Sequence, residues 1–130
     1  MSGESRRGRE TIDKVNRTAA EAQAASLADI APELGQFIVD FAFGDVISRP
    51  GLDLRERELI TVAALTALGN ARPQLLAHIA GALNVGATPR QVVEAIIQMA
   101  VYAGFPAALN GIAAAKEVFA ERGVAVDPPV

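Results

Sequence analysis

The sequence has 130 residues and a mass of 13.5 kDa, which suits one compact domain over residues 1–130. Twelve basic and fifteen acidic residues give a formal net charge of −3, so the chain has no overall positive field for binding nucleic acid. It contains no cysteine and a single histidine, which excludes disulfides, thiolate nucleophiles and the usual zinc sites.

The apolar content indicates a protein that self-associates without entering a membrane. Hydrophobic residues make up 51% of the chain, more than one small core hides, so we expect a homo-oligomer. The longest apolar run, Leu59–Leu68, is shorter than the roughly 20 residues needed to cross a bilayer. The polar segment Met1–Glu10 is not followed by the apolar stretch of a secretory signal. These features favour a cytoplasmic protein.

Apolar residues recur at spacings of three and four, which predicts an all-α protein of about six helices. The first helix is predicted over about Arg9–Ser26, after a solvated and frayed amino terminus. The second is predicted over about Pro32–Phe43, with proline in its first turn and Gly44 as its stop. The segment Asp45–Leu52 is predicted to be irregular.

The third and fourth helices have local start and stop signals. Asp53 and Glu56 have the spacing of a capping box before an apolar run, and the helix they begin should end near Gly69. Pro73 lies in the first turn of the fourth helix, and Gly86 is expected to end it.

The fifth and sixth helices are signalled in the same way. The run Thr88–Gln91 combines a threonine cap, a proline at the first helical position and a glutamine three residues after the cap. The fifth helix is predicted to reach Ala103, and Pro106 opens a sixth that runs to about Arg122. The tail Val124–Val130 should be extended or disordered.

Short motifs follow one another from roughly Leu34 to Arg122. In chain order they are Phe43-Gly44-Asp45, Arg49-Pro50-Gly51-Leu52-Asp53, Arg57-Glu58-Leu59-Ile60-Thr61, Gln74-Leu75 with His78, Gly86-Ala87-Thr88, Glu94, Gln98 and Tyr102-Ala103-Gly104-Phe105-Pro106-Ala107. In this order and spacing they resemble the carboxymuconolactone decarboxylase family. The short chain is similar to the stand-alone enzyme rather than to a fusion with a lactone hydrolase.

The resemblance implies an all-helical subunit of the alkyl hydroperoxidase D type that assembles into a ring, commonly a homohexamer made as a trimer of dimers. We therefore expect a trimer or a hexamer. It also implies decarboxylation of 4-carboxymuconolactone to 3-oxoadipate enol-lactone in the protocatechuate branch of the β-ketoadipate pathway of aromatic compound catabolism. The peroxidase branch carries two cysteines where this chain has Ala71 and Gln74, so thiol peroxidase chemistry is excluded. Decarboxylase members often carry Glu at the position of Gln74.

The implied reaction needs no cofactor, because the ring double bond and carbonyl of the lactone accept the electron pair left by carbon dioxide. A proton must then reach a ring carbon. His78 is the candidate donor, since histidine is the side chain that ordinarily titrates near neutral pH. Glu58 is expected either to orient His78 or to be an exposed helix carboxylate. Asp45 is a second candidate for the proton relay, with a turn-forming role as the alternative.

The remaining candidates would bind the two carboxylates of the substrate. Arg49 lies in the predicted irregular segment, and its alternative role is that of a surface turn residue. Arg57 lies within an apolar helix, where partial burial also favours a structural ion pair. Gln74 lies one helical turn before His78 and is expected to share its pocket. Tyr102 is a candidate substrate-facing hydroxyl.

Two other functions remain open. One is a related decarboxylase or isomerase that acts on another lactone or polyketide-like acid of secondary metabolism, which a substrate screen would reveal. The other is a non-catalytic oligomeric binding module that keeps only the fold. Failure of a product-like lactone to occupy a pocket near His78 would favour the binding module.

Overall fold

The computed structural model describes residues 3–128, with side chains from residue 5 onward. Its elements are α1 (Gly3–Leu27), α2 (Pro32–Phe37), a π-helix (Ile38–Ile47), α3 (Leu54–Leu68), α4 (Arg72–Asn84), α5 (Pro89–Ala103) and α6 (Phe105–Arg122). Within residues 3–128 there is no strand, so the predicted all-α class is confirmed. None of the helices described is long and apolar enough to cross a membrane.

The helices fall into two compact units. The first unit ends at Asp53 and contains α1, α2 and the π-helix, with α1 packed along the π-helix. The second begins at Leu54 and contains α3 to α6, which pack against one another. The single domain predicted over residues 1–130 stays a prediction.

The frayed amino terminus predicted from the sequence is wrong over the described residues. Helix α1 begins at Gly3, well before the predicted start at Arg9, because its first turns pack on the π-helix. Gly8 is buried there, and a Cβ at this position would collide with the carbonyl oxygen of Val39. Side-chain contacts add to this packing, since the Ser5 hydroxyl donates to Asp40 Oδ1. The first residues of α1 are therefore held by tertiary contacts rather than solvated.

The predicted stop at Gly44 is also wrong. Helix α2 passes directly into the π-helix, which continues to Ile47 and includes Gly44 as a buried residue. A Cβ at Gly8 would lie 3.2 Å from the Gly44 nitrogen, so two glycines meet where the helices cross. The π-helix ends at Ser48, whose hydroxyl donates to the Phe43 carbonyl at 2.5 Å. Gly44 thus lies at a close helix contact, and the segment Asp45–Leu52 that was predicted to be irregular is helical as far as Ile47.

Helix starts and stops in the second unit agree closely with the prediction. Thr88 Oγ1 accepts the backbone N–H of Gln91, and the Thr88 N–H donates to Gln91 Oε1, both at 3.0 Å, which completes the capping box. Gly86 follows α4 with φ of +102°, a conformation that glycine adopts without strain. The predicted helix ends at Ala103 and Arg122 are confirmed.

The tail after α6 has no regular structure as far as residue 128, as predicted. Its backbone is nevertheless attached to α5, since Arg90 Nε donates to the Asp127 carbonyl at 2.8 Å. The final two positions of the predicted tail, and the first two of the predicted amino terminus, lie outside the described residues.

Helices α3 to α6 enclose a continuous apolar core. Its buried side chains are Val62, Leu75, Ile79, Ala82, Ala87, Val92, Ile96, Ala114, Ala115, Val118 and Phe119. Gly111 lets α6 approach its neighbours closely, because a Cβ there would lie 2.8 Å from Ile96 Cγ2 and 2.9 Å from Thr66 Cγ2. The same packing buries two polar side chains of α3, Glu58 and Thr66.

Candidate active site

The one histidine of the sequence lies against a buried carboxylate. His78 of α4 and Glu58 of α3 approach with 2.7 Å between Nδ1 and Oε1. The Glu58 side chain is 1% exposed, whereas that of His78 is 26% exposed. The pair therefore links a carboxylate inside the protein to an imidazole that reaches its surface.

The register of the two helices explains this arrangement. The buried residues of α3 are Glu58, Val62 and Thr66, which recur every four residues and form one face. In α4 the core residues Leu75 and Ile79 are buried, and His78 lies beside them at the edge of that face. Glu58 consequently occupies a position where the helical pattern would ordinarily place an apolar side chain.

A carboxylate in this position is costly to bury unless it is paired and hydrogen-bonded. Glu58 Oε1 meets the imidazole, while Oε2 is buried and has no hydrogen-bond partner among the described residues. A proton on His78 Nδ1 is donated to Glu58 Oε1, which fixes the ring orientation. Nε2 is then left to accept a proton from, or donate one to, a group outside the pair.

Three other candidate residues, on α3, α4 and α5, differ in how far their side chains are buried. Gln74 is exposed and lies four residues before His78 on α4. Residues four apart lie on the same face of a helix, so Gln74 is a surface neighbour of His78. Arg57 precedes Glu58 on α3 and is half-buried, which agrees with its predicted partial burial. Its backbone carbonyl accepts a hydrogen bond from Thr61 Oγ1 at 2.9 Å. Tyr102 lies near the end of α5 and is 79% exposed.

Two candidates belong to the first unit. Asp45 lies within the π-helix and its carboxylate lies 3.7 Å from Arg7 Nη2, so the turn-forming role considered for it is wrong. Arg7 also donates from Nε to the Gly44 carbonyl at 3.4 Å. Arg49 is exposed shortly after the π-helix, in the short segment that remains irregular. The catalytic and binding roles of both candidates stay predictions.

Sequence reasoning missed two features of these helices. It did not show that Glu58 is fully buried, although its spacing of four from Val62 and Thr66 was a usable signal. It also gave no role to Arg7, whose contacts depend on the packing of α1 on the π-helix. Among the described residues no group of three or more His, Asp or Glu side chains is placed to hold a metal ion.

Comparison with known proteins supplies the family. Residues 32–117 match the family described as the carboxymuconolactone decarboxylase family, and this segment contains both Glu58 and His78. The chain belongs to the carboxymuconolactone decarboxylase family. The resemblance drawn from the sequence motifs is thereby confirmed, and so is the expectation of an enzyme of the decarboxylase type.

Individual relatives of this decarboxylase-family chain carry different names. It is 39% identical over 100 residues to a 4-carboxymuconolactone decarboxylase of Acinetobacter baylyi, covering 77% of this chain and 74% of that protein. It is 32% identical over 116 residues to an uncharacterized 15.0 kDa protein of Paracoccus denitrificans, covering 88% and 87%. It is 35% identical over 77 residues to a nitrosuccinic acid decarboxylase of Metarhizium robertsii, covering 59% and 53%.

Proposed function

We propose that this member of the family decarboxylates 4-carboxymuconolactone to 3-oxoadipate enol-lactone without a cofactor, in protocatechuate degradation. The observation that carries the proposal is the contact between His78 Nδ1 and the buried Glu58 carboxylate, which leaves Nε2 available for proton transfer. The relative named for this reaction, at 39% identity, supports the choice of substrate.

The chemistry divides into bond cleavage and protonation. The carbon–carbon bond to the departing carboxylate breaks, carbon dioxide leaves, and the electron pair enters the conjugated lactone as a dienolate. His78, protonated at both nitrogens, then delivers the Nε2 proton to the ring carbon while Glu58 keeps its hydrogen bond at Nδ1. The exposed part of the imidazole regains a proton from solvent.

Glu58 acts on this reaction as a positioning residue. Its buried carboxylate lies 2.7 Å from His78 Nδ1 and holds the imidazole ring in one orientation, because a hydrogen bond to a charged group is stronger than one to a neutral group. Burial of the carboxylate keeps water from screening this interaction.

The substrate carries two carboxylates, which guanidinium groups bind through paired hydrogen bonds. We propose Arg57 and Arg49 for this role, with Gln74 as a hydrogen-bonding neighbour of His78. The half-burial of Arg57 supports its part, and the exposed position of Arg49 in the irregular segment after the π-helix supports that of Arg49. Tyr102 and Asp45 remain candidates for a substrate-facing hydroxyl and for proton relay, respectively.

We also propose that the chain forms a closed homo-oligomer, a trimer or a hexamer, in the cytoplasm, with no nucleic-acid or membrane partner. Large apolar side chains exposed in both units support assembly. They include Ile30, Phe37, Phe41, Val101, Phe105 and Leu109. Light scattering at low micromolar concentration is the test, and a mass of 13.5 kDa would contradict the proposal.

The direct test of function is carbon dioxide release from 4-carboxymuconolactone by chelator-treated, cofactor-stripped protein. Turnover that depends on His78 supports the proposal, and His78→Gln is the matched variant. Absence of turnover with this lactone, or activity restored only by one metal ion, would overturn it.

A second candidate function is decarboxylation of a different acid. The relative named as a nitrosuccinic acid decarboxylase favours this candidate, because the acid in that name is not a lactone. A screen of small dicarboxylic and lactone acids separates the two candidates by their kcat/KM values. A non-catalytic binding module would release carbon dioxide from none of these acids.

A further inference from the structure

Five large apolar side chains are exposed around the turn between α5 and α6. Only Gly104 separates the two helices, so the end of α5 adjoins the start of α6. The exposed fractions range from 49% for Ile97 to 79% for Tyr102. The α5–α6 face is defined by the side chains of Ile97, Val101, Tyr102, Phe105 and Leu109. An exposed apolar patch of this size in a soluble protein marks an interaction surface.

The α5–α6 face lies in a part of the chain that carries no charge. From Ala95 to Ala115 the sequence contains no Asp, Glu, Lys, Arg or His, and Glu94 and Lys116 border this segment. The cores of protein interfaces are depleted of charged residues and enriched in aromatic ones, whereas surfaces that stay in water carry charges. The face therefore has the composition of an interface core.

The area of the α5–α6 face fits an interface between two small proteins. Burial removes about 60–120 Å² of apolar surface for a Val, Leu or Ile side chain and about 150–250 Å² for an aromatic one. At the observed exposures the five side chains together present about 350–600 Å². A standard interface buries about 800 Å² per partner, of which about 450–520 Å² is apolar. One face thus supplies the apolar part of one side of such an interface.

The distribution of charge favours a second copy of the chain as the partner. A twofold interface places a surface against itself, so charges near the axis meet like charges. The α5–α6 face has no charge to repel its copy. The apolar residues exposed along Ile30–Phe41 in the first unit are less suited to self-pairing, because every charged residue from Thr18 to Ser48 is acidic.

We propose that the α5–α6 faces of two copies of this chain pack against each other about a twofold axis. Gln98 and Asn110 are exposed polar neighbours of the face and supply hydrogen-bonding groups at its rim. A twofold contact joins copies in pairs, so it selects the hexamer over the trimer among the assemblies proposed above. The inference rests on the proposed homo-oligomer and is independent of the decarboxylase activity.

Leu109→Glu tests the contact by placing a carboxylate on each of the two faces. Like charges brought together in an interface cost several kcal/mol, so the dissociation constant of the pair should rise at least about a hundredfold. Light scattering at low micromolar concentration should then give half the wild-type mass. Far-UV circular dichroism should show unchanged helix content, because Leu109 is 68% exposed and outside the core.

Ala120→Glu is the matched control, since Ala120 is exposed on the same helix but lies outside the charge-free segment. This variant should keep the wild-type mass. A wild-type mass of three subunits, or an unchanged mass in Leu109→Glu, would overturn the twofold contact alone. A monomeric wild-type protein would overturn the proposed assembly as well, and neither result bears on carbon dioxide release.

The absence of cysteine from the sequence allows a second test by disulfide formation. The single-cysteine variants are Ile97→Cys, Val101→Cys, Phe105→Cys and Leu109→Cys. A disulfide requires Cα atoms about 4.4–6.8 Å apart, and a twofold axis through the face brings a residue beside its own copy. At least one variant should therefore form a linked pair of twice 13.5 kDa on oxidation, while Ala120→Cys stays unlinked. Linkage in none of the four variants, or equal linkage in the control, would show that the faces do not pair.

Discussion

Substitution of Glu58 tests the positioning of His78 directly. Glu58→Gln keeps an oxygen at the position of Oε1, which lies 2.7 Å from His78 Nδ1, but removes the charge. A hydrogen bond to a charged group contributes about 1.5–3 kcal/mol and a neutral one about 0.5–1.5 kcal/mol, so the contact that orients the His78 ring weakens by about 1–1.5 kcal/mol. At 1.36 kcal/mol for each factor of ten, kcat should fall about tenfold.

Glu58→Leu removes the hydrogen bond entirely at similar volume. The loss of about 1.5–3 kcal/mol predicts a fall in kcat of about 10- to 150-fold. The free energy of unfolding should change little, because removal of a carboxylate buried with one unpartnered oxygen is offset by the loss of its hydrogen bond with His78 Nδ1.

Steady-state kinetics with 4-carboxymuconolactone, urea unfolding and the nitrogen shifts of the His78 ring form the assay. The ring shifts should report a proton fixed on Nδ1 in the wild-type protein and a mixture of tautomers in Glu58→Leu. Glu121→Gln is the control, since Glu121 is an exposed carboxylate in α6. A kcat within twofold of this control for both Glu58 variants would refute the positioning role.

His78→Gln should lower kcat by about 10² to 10⁴ with an unchanged melting temperature, since a positioned acid contributes that much to the rate; near-normal turnover would assign His78 to structure. Arg49→Ala should raise KM, and initial rates over a range of lactone concentrations are the measurement. An unaltered KM would remove Arg49 from the substrate site. Gly8→Ala should destabilise the first unit by about 1–3 kcal/mol in urea unfolding, because the added methyl group collides with the Val39 carbonyl. Wild-type stability of this variant would contradict the close packing of α1 on the π-helix.

The sequence by itself determined the helices of the second unit. The Thr88–Gln91 capping box satisfies backbone amides within a few residues, so its effect does not depend on the rest of the fold. Proline near the start of α4 and glycine after its end act equally locally, through fixed or permissive backbone angles. The sequence motifs also identified the family, because their order and spacing extend over most of the chain.

The tertiary structure decided the path of the first unit. Glycine commonly ends helices, yet Gly44 lies inside the π-helix, where α1 packs so closely that a Cβ at Gly8 would lie 3.2 Å from the Gly44 nitrogen. That contact joins residues 36 positions apart, and a local pattern carries no information about it.

Tertiary packing also decided the environment of the candidate catalytic pair. Arg57 and Glu58 are adjacent charged residues on an apolar helix, and the sequence left open whether Glu58 was exposed. Packing of α3 against α4 placed Glu58 in the interior and brought its carboxylate to His78, 20 residues along the chain. Helical periodicity predicts a buried face, but whether a polar residue on that face is stable depends on a partner that only the folded chain supplies.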